Sequence, residues 1–199
     1  MRGRLIVLEG SEATGKSTQA ALLATRLGAV ATREPGGTAT GEWIRALLLD
    51  PTLPPLDART ETLLLLAARA QHVTEVIRPA LEAGQEVVCD RYSGSTLAYQ
   101  GWGRGLAPEE LVDLTTWATS GIAPDVVVLL TVAPAVAARR MGRRGGGDRM
   151  EGEGTEFFRR VDDGFAALAA ADRHHWRVVD GDGTVTEVAG RVADAVGAT

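Results

Sequence analysis

The chain has 199 residues, 45% hydrophobic and 24% charged, with a formal net charge of −5. This is the composition of one globular domain over residues 1–199, without the broad basic surface of a nonspecific nucleic-acid binder or the ~20-residue apolar run that spans a bilayer. No signal-like pattern precedes the first strand-like segment and Cys89 is the only cysteine, so the expectation is a cytoplasmic protein with no disulfide, no membrane and no nucleic-acid partner.

The run "RLIVLEG" reads as a buried strand over about 4–9, followed by a helix over about 15–27 that stops at Gly28. "AVATREPGGT" is a short strand running into a Pro-Gly-Gly turn. Helical patterns cover 42–50 and 57–83, the second with a kink or break expected at Pro79. "QEVVCDR" and "PDVVVLLTV" are two more continuous apolar strands, and "WRVVD" is the last. Amphipathic helices are expected at 108–120, 134–144, 155–172 and 184–196. The alternation predicts an α/β fold with a parallel sheet covered on both faces. "RRGGGDRMEGEG" is glycine-rich and charged and reads as a mobile loop, a lid segment at about 141–154. Cys89, inside an apolar strand, reads as a buried residue rather than a reactive thiol.

The first strand–helix junction carries Gly10-Ser11-Glu12-Ala13-Thr14-Gly15-Lys16-Ser17-Thr18, a Gly-x4-Gly-Lys-Ser phosphate loop in the context its mechanism requires. Glycines let the backbone present a nest of N–H donors, the helix N-terminus adds partial positive charge, Lys16 reaches the terminal phosphates and Ser17 ligates Mg2+. Lys16 is the only lysine in the chain, so its place here is not compositional noise. Glu12 is the anomaly, a negative charge inside an anion trap. It either faces solvent or serves a second ligand. The chain has no asparagine, which excludes the Asn-Lys-x-Asp motif of guanine-reading switches.

Asp90-Arg91-Tyr92 follows a strand, at the sheet edge where ligands of open α/β folds sit. Asp90 suits Mg2+ held through water and Arg91 suits a phosphate; the alternative is that Asp90 only caps a helix starting at Ser93. Arg33 and Arg69 add positive charge, with a loop position for Arg33 and a structural carboxylate partner for Arg69 as the alternatives. Arg139, Arg140, Arg143, Arg144 and Arg149 surround the glycine-rich stretch, where a lid brings charge onto a transferring phosphoryl group.

"LEGSEATGKSTQ", "TREPGGT", "LLAARAQH", "CDRYSGSTLAYQGWGRG" and "DRMEGEGTEFFRRV", in that order, resemble the thymidylate kinase family, whose members make dTDP from dTMP and ATP, and the resemblance covers nearly the whole chain. It implies a P-loop kinase fold with a five-stranded parallel sheet flanked by helices on both faces, an ATP site at Gly10–Thr18, Mg2+ at Ser17 and Asp90, a facing dTMP site and a homodimer. By position, Arg33 and Arg91 would hold the dTMP phosphate, Arg69 and Thr96 the thymine edge, and Ser95 and Tyr99 the sugar and base pocket, Tyr99 screening against a 2′-hydroxyl. Glu12 would read the 3′-hydroxyl and partner a closing lid arginine. Lys16, Arg91 and Arg149 would be catalytic, since the loop has no arginine of its own. Leu65 departs from the family, which usually places a phenylalanine there to stack on thymine. That leaves a kinase for another pyrimidine nucleotide or deoxynucleoside as the second reading. A nucleotide-dependent switch, suggested by "DGDG" at 180–183, is the third.

Overall fold

The computed structural model describes residues 1–144, 149–150 and 152–198, apart from the side chains of 143 and 144. The glycine-rich centre of the expected lid, with Arg143 and Arg144, therefore lies outside the described side chains. Five strands form one parallel sheet in the order β2-β3-β1-β4-β5. They are β1 Leu5–Glu9, β2 Val30–Arg33, β3 Val87–Asp90, β4 Val126–Thr131 and β5 Trp176–Asp180. The helices are α1 Lys16–Leu27, α2 Ala39–Leu49, α3 Ala58–His72, α4 Arg78–Glu82, α5 Ser93–Thr96, α6 Pro108–Ala118, α7 Pro134–Arg144, α8 Thr155–Ala171 and α9 Val185–Ala195.

Every residue of β1 is buried because it is central and covered on both faces, which is why it reads as an unbroken apolar run. Alternation sends Ile6 and Leu8 to the face where α1 and α9 pack, with Leu23, Val128, Leu130, Val188 and Val192. Leu5 and Val7 go to the opposite face, with Val73, Ile77, Leu81, Cys89 and Tyr92. Glu9 shares that second parity, so the strand itself delivers a carboxylate to the side where α5 begins. From β1 the chain crosses to β2 at one edge, returns through β3, and only then builds β4 and β5 on the other side. The strand order reverses at β1, and its carboxyl end is where a ligand crevice belongs.

Two local features are finer than the sequence pattern resolves. The disturbance expected at Pro79 takes the form of a change of helix type just before it. A π-helical turn, Val73–Ile77, joins α3 to α4, and the wider turn relieves the clash of a proline ring with the carbonyl four residues back. A second π-helical turn, Leu97–Gly103, continues α5 and carries Tyr99 and Gln100. Cys89 is buried, and burial pushes its thiol well above the usual range, so it is not a reactive nucleophile.

Candidate active site

At the carboxyl end of β1 the chain turns at Gly10, with φ 143; a Cβ there would approach the Leu130 carbonyl oxygen to 2.4 Å. Ala13 and Gly15 are also left-handed, at φ 59 and 99, and the loop closes around the Lys16 side chain. Lys16 Nζ donates to the Ser11 carbonyl at 2.5 Å and to Thr14 Oγ1 at 3.3 Å, lying across its own loop where phosphate oxygens would compete for it. Burial and the neighbouring Arg91 charge pull Lys16 down to about 8, against support from Glu12, Asp90 and Glu9. The first turn of α1 has no acidic residue, so its N-terminal dipole faces the loop uncompensated. Glu12 to Thr18 all line an open cleft of about 940 Å3. Ser11 instead turns away, its hydroxyl bonded to Asp162 of α8.

Ser17 of α1 and Asp90 of β3 meet beside the loop, Ser17 Oγ donating to Asp90 Oδ2 at 2.5 Å. Asp90 Oδ1 is buried with no hydrogen-bond partner among the described residues. An orphaned buried carboxylate oxygen next to a hydroxyl is a hard oxygen pair that suits a Mg2+ ion completing its shell with water and phosphate. Asp90 does not cap the helix at Ser93. Glu9 does, accepting from the Tyr92 and Ser95 N–H groups at 3.0 and 2.9 Å and from the Ser95 hydroxyl at 2.5 Å. Asp90 turns to Ser17 instead, whereas Glu9 projects from the adjacent central strand toward α5. Burial raises the Glu9 carboxyl despite these bonds.

Arg91, held at φ 72, swings back across the loop and donates from Nη1 to the Gly10 carbonyl at 3.0 Å and Ser95 Oγ at 3.1 Å. Its Nη2 meets Glu12 Oε1 at 2.5 Å and the Tyr99 hydroxyl at 3.1 Å, and Tyr99 in turn donates to Glu12 at 3.0 Å. Burial works against the Arg91 charge, but Tyr99, Glu12, Asp90 and Glu9 more than offset it and hold the guanidinium above its usual range. Glu12 thus faces the second half of the cleft rather than solvent. Arg91 is one partner of its carboxylate. The loop glutamate and the β3 arginine are at hand for each other because β1 and β3 are paired neighbours.

Arg69, buried on α3, does pair with a structural carboxylate. Its Nε donates to Glu34 at 2.6 Å, Nη1 to Thr96 Oγ1 at 2.9 Å and Nη2 to the Tyr92 carbonyl at 2.9 Å. Arg33 is half exposed at the cleft rim, resting on the Glu42 carboxylate at 2.9 and 2.8 Å. Leu65, Ser95, Thr96 and Tyr99 line the same cleft. Arg149 reaches it as well, held by Glu61 at 2.6 Å and the Leu48 carbonyl at 2.8 Å.

One cleft carboxylate, Glu61, escaped the sequence reading. Glu61 is buried and accepts from Gln100, Arg104 and Arg149; burial pushes its carboxyl up, and these bonds more than cancel that and leave it lowered. The signal was present in part, since Glu61, Leu65 and Arg69 recur every four residues on one face of α3. Arg140 of α7 donates to the Ala13 carbonyl at 3.2 Å and, through Nη2, to Gly181 at 3.0 Å. Gly181, Gly183, Thr184 and Val185 extend the cleft beyond the phosphate loop, so "DGDG" forms its wall. Among the described residues no cluster of three or more His, Cys, Asp or Glu could hold a metal, and no helix is long and apolar enough to cross a membrane.

A phosphate loop at one end of a cleft, a cationic second pocket facing it and an oxygen pair between them define a P-loop nucleoside monophosphate kinase. The thymidylate kinase family model matches residues 8–192. A thymidylate kinase of Synechococcus sp. (strain JA-3-3Ab) is 49% identical over 96% of this chain and 94% of its own, and one of Pelotomaculum thermopropionicum is 47% identical over 90% and 86%. The crystal structure of thymidylate kinase from Ehrlichia chaffeensis superposes with a TM-score of 0.82 at 30% identity, covering 98% of this chain and all of that one. The chain belongs to the thymidylate kinase family.

Proposed function

We infer that this chain, as one unit over 1–199 with a lid segment at about 141–154, transfers the γ-phosphoryl group of ATP to dTMP in the cytoplasm, giving dTDP and ADP. An oxygen of the dTMP phosphate attacks the γ-phosphorus in line, and the bond to the β,γ-bridging oxygen breaks, its electrons leaving on ADP. The acceptor is already an anion, so no strong general base is needed. The observation that carries the reading is the single cleft of about 940 Å3 onto which Lys16, Arg33, Arg69, Arg91 and Arg149 all open. Lys16 exchanges its intraloop bonds for phosphate oxygens, while Arg33 and Arg91 hold the acceptor phosphate. Glu12 and Tyr99, already bonded to each other, meet the sugar, and Arg69 and Thr96 meet the base edge beside Leu65. Arg149 adds positive charge from the lid side, and Arg140 and the 181–185 wall enclose the donor base.

Ser17 and Asp90 would hold Mg2+, which when bound neutralises charge on the transferring phosphates. A homodimer fits the large apolar side chains left exposed on α2, α3 and α6, Trp43 and Trp117 at 75% and 80% with Leu47, Leu63 and Val112 also exposed. Light scattering should give twice the chain mass, reduced to one by Trp117→Glu.

The test is ADP formation with dTMP, dUMP, dCMP and thymidine side by side. dTMP should be used best; equal use of dCMP or thymidine would move the assignment to another pyrimidine kinase, the reading that Leu65 keeps open.

A further inference from the structure

Resting on the acceptor assignment above, we propose that His72 is a positioning residue that aims both Arg33 and Arg69 at the acceptor. His72 ends α3, is fully buried, and is unused by the chemistry described so far. Its two ring nitrogens bond the two residues that flank Arg33. Nε2 lies 2.6 Å from Thr32 Oγ1, and Nδ1 lies 3.0 Å from Glu34 Oε1.

Alternation along an extended chain makes this a clamp. Thr32 and Glu34 point one way and Arg33 the other, so pinning both neighbours from behind sets the direction in which Arg33 projects. The ladder to β3 continues through Glu34, whose N–H donates to the Asp90 carbonyl at 2.9 Å, so the clamped segment is tied on both sides. The other oxygen of the same Glu34 carboxylate takes Arg69 Nε at 2.6 Å. Arg69 and His72 are three residues apart on one face of α3. One imidazole therefore fixes a carboxylate that fixes one arginine, and fixes the strand that carries the other. Gly37 closes over the clamp, since a Cβ there would lie 2.7 Å from the ring and 2.8 Å from the Thr32 hydroxyl.

The Glu34 carboxylate, paired with Arg69, is an acceptor, so Nδ1 carries the proton between them, and Nε2 meets the Thr32 hydroxyl, which can donate or accept. The arrangement has the connectivity of a hydroxyl-imidazole-carboxylate triad, but it is turned to orientation: Thr32 is not part of the substrate cleft's lining.

His72→Phe removes both bonds at similar size, His72→Asn keeps an amide donor near the Nδ1 position, and Thr32→Val removes the hydroxyl alone. In the full-length protein His72→Phe should raise the KM for dTMP about tenfold, because a buried carboxylate is left short of a donor, while ATP affinity stays within twofold. His72→Asn should recover part of the loss. A cooperatively melting His72→Phe protein whose dTMP KM rises less than threefold overturns the proposal, as does an equal loss for ATP and dTMP. If His72→Phe does not fold, Thr32→Val decides: a threefold or larger rise in dTMP KM at unchanged ATP affinity supports the clamp, and a smaller one overturns it. Nitrogen-15 spectra of the wild-type protein should show His72 protonated on Nδ1; a bare Nδ1 overturns it. Failure of the underlying function would look different, as a wild-type chain that forms no ADP with dTMP while the His72 spectrum is unchanged.

Discussion

Glu12→Gln separates the two halves of the cleft. The Glu12 carboxylate accepts from Arg91 Nη2 at 2.5 Å and from the Tyr99 hydroxyl at 3.0 Å. A hydrogen bond to a charged group contributes about 1.5–3 kcal/mol, and with side chains 16% and 20% exposed the Arg91–Glu12 pair belongs near the lower end. That alone is about tenfold, and loss of a charged contact to the sugar hydroxyl adds about another tenfold, so kcat/KM for dTMP should fall about a hundredfold. ATP responds differently, through Lys16. Glu12 is one of the charges that support the Lys16 ammonium, which already sits at about 8, so its removal lowers that value further. At about pH 6.5 the ammonium stays charged and ATP affinity should be within twofold of the parent. Above about pH 8 the variant should lose ATP affinity before the parent does. Steady-state kinetics against dTMP, with ATP binding measured at both pH values, tests this. An ATP affinity at pH 6.5 that falls as far as dTMP use would refute it.

ATP binding should itself take up protons. Phosphate oxygens favour charged Lys16 over the free value of about 8, so uptake approaches one proton near pH 9 and vanishes near pH 6.5, readable by calorimetry in buffers of different ionisation enthalpy. By the same sign, ATP affinity falls as pH rises through about 8. Leu65→Phe restores a ring at the cleft wall and should lower the dTMP KM up to about tenfold, since aromatic pairs add about 0.5–1.5 kcal/mol; an unchanged dTMP-to-dCMP ratio would show that position 65 does not read the base. Asp90→Asn weakens the oxygen pair with Ser17 and should raise the Mg2+ concentration for half-maximal activity about tenfold or more, measured by titrating Mg2+ at fixed ATP.

Local chemistry alone identified the elements whose signal is local. A central strand covered on both faces must be apolar throughout, and so β1, β3 and β4 were legible within a residue or two at each end. The phosphate loop was legible because its function needs glycine backbone and a lysine at short fixed spacing. Pro79 marked the place of a disturbance but not its form, because the backbone had a way to widen the turn that no proline rule announces. The Leu97–Gly103 turn was not resolved for the same reason.

The chemistry of the acceptor pocket was decided by pairings between residues far apart in the chain. That Glu12 faces Arg91 follows from β1 lying beside β3, and that Glu9 rather than Asp90 caps α5 follows from strand parity and sheet order. That Arg69 shares Glu34 with His72 follows from the last turn of α3 meeting Thr32 and Glu34 at the carboxyl end of β2. The sequence by itself determined which groups the protein owns, including its one lysine, its loop and its arginines, because composition and short spacing are written in the chain. Which carboxylate neutralises which arginine, and which oxygen is left bare for a cation, was decided only by the tertiary structure. Charge pairing falls off over a few ångströms in space, and the sheet brings together residues that lie 79 apart, as with Glu12 and Arg91.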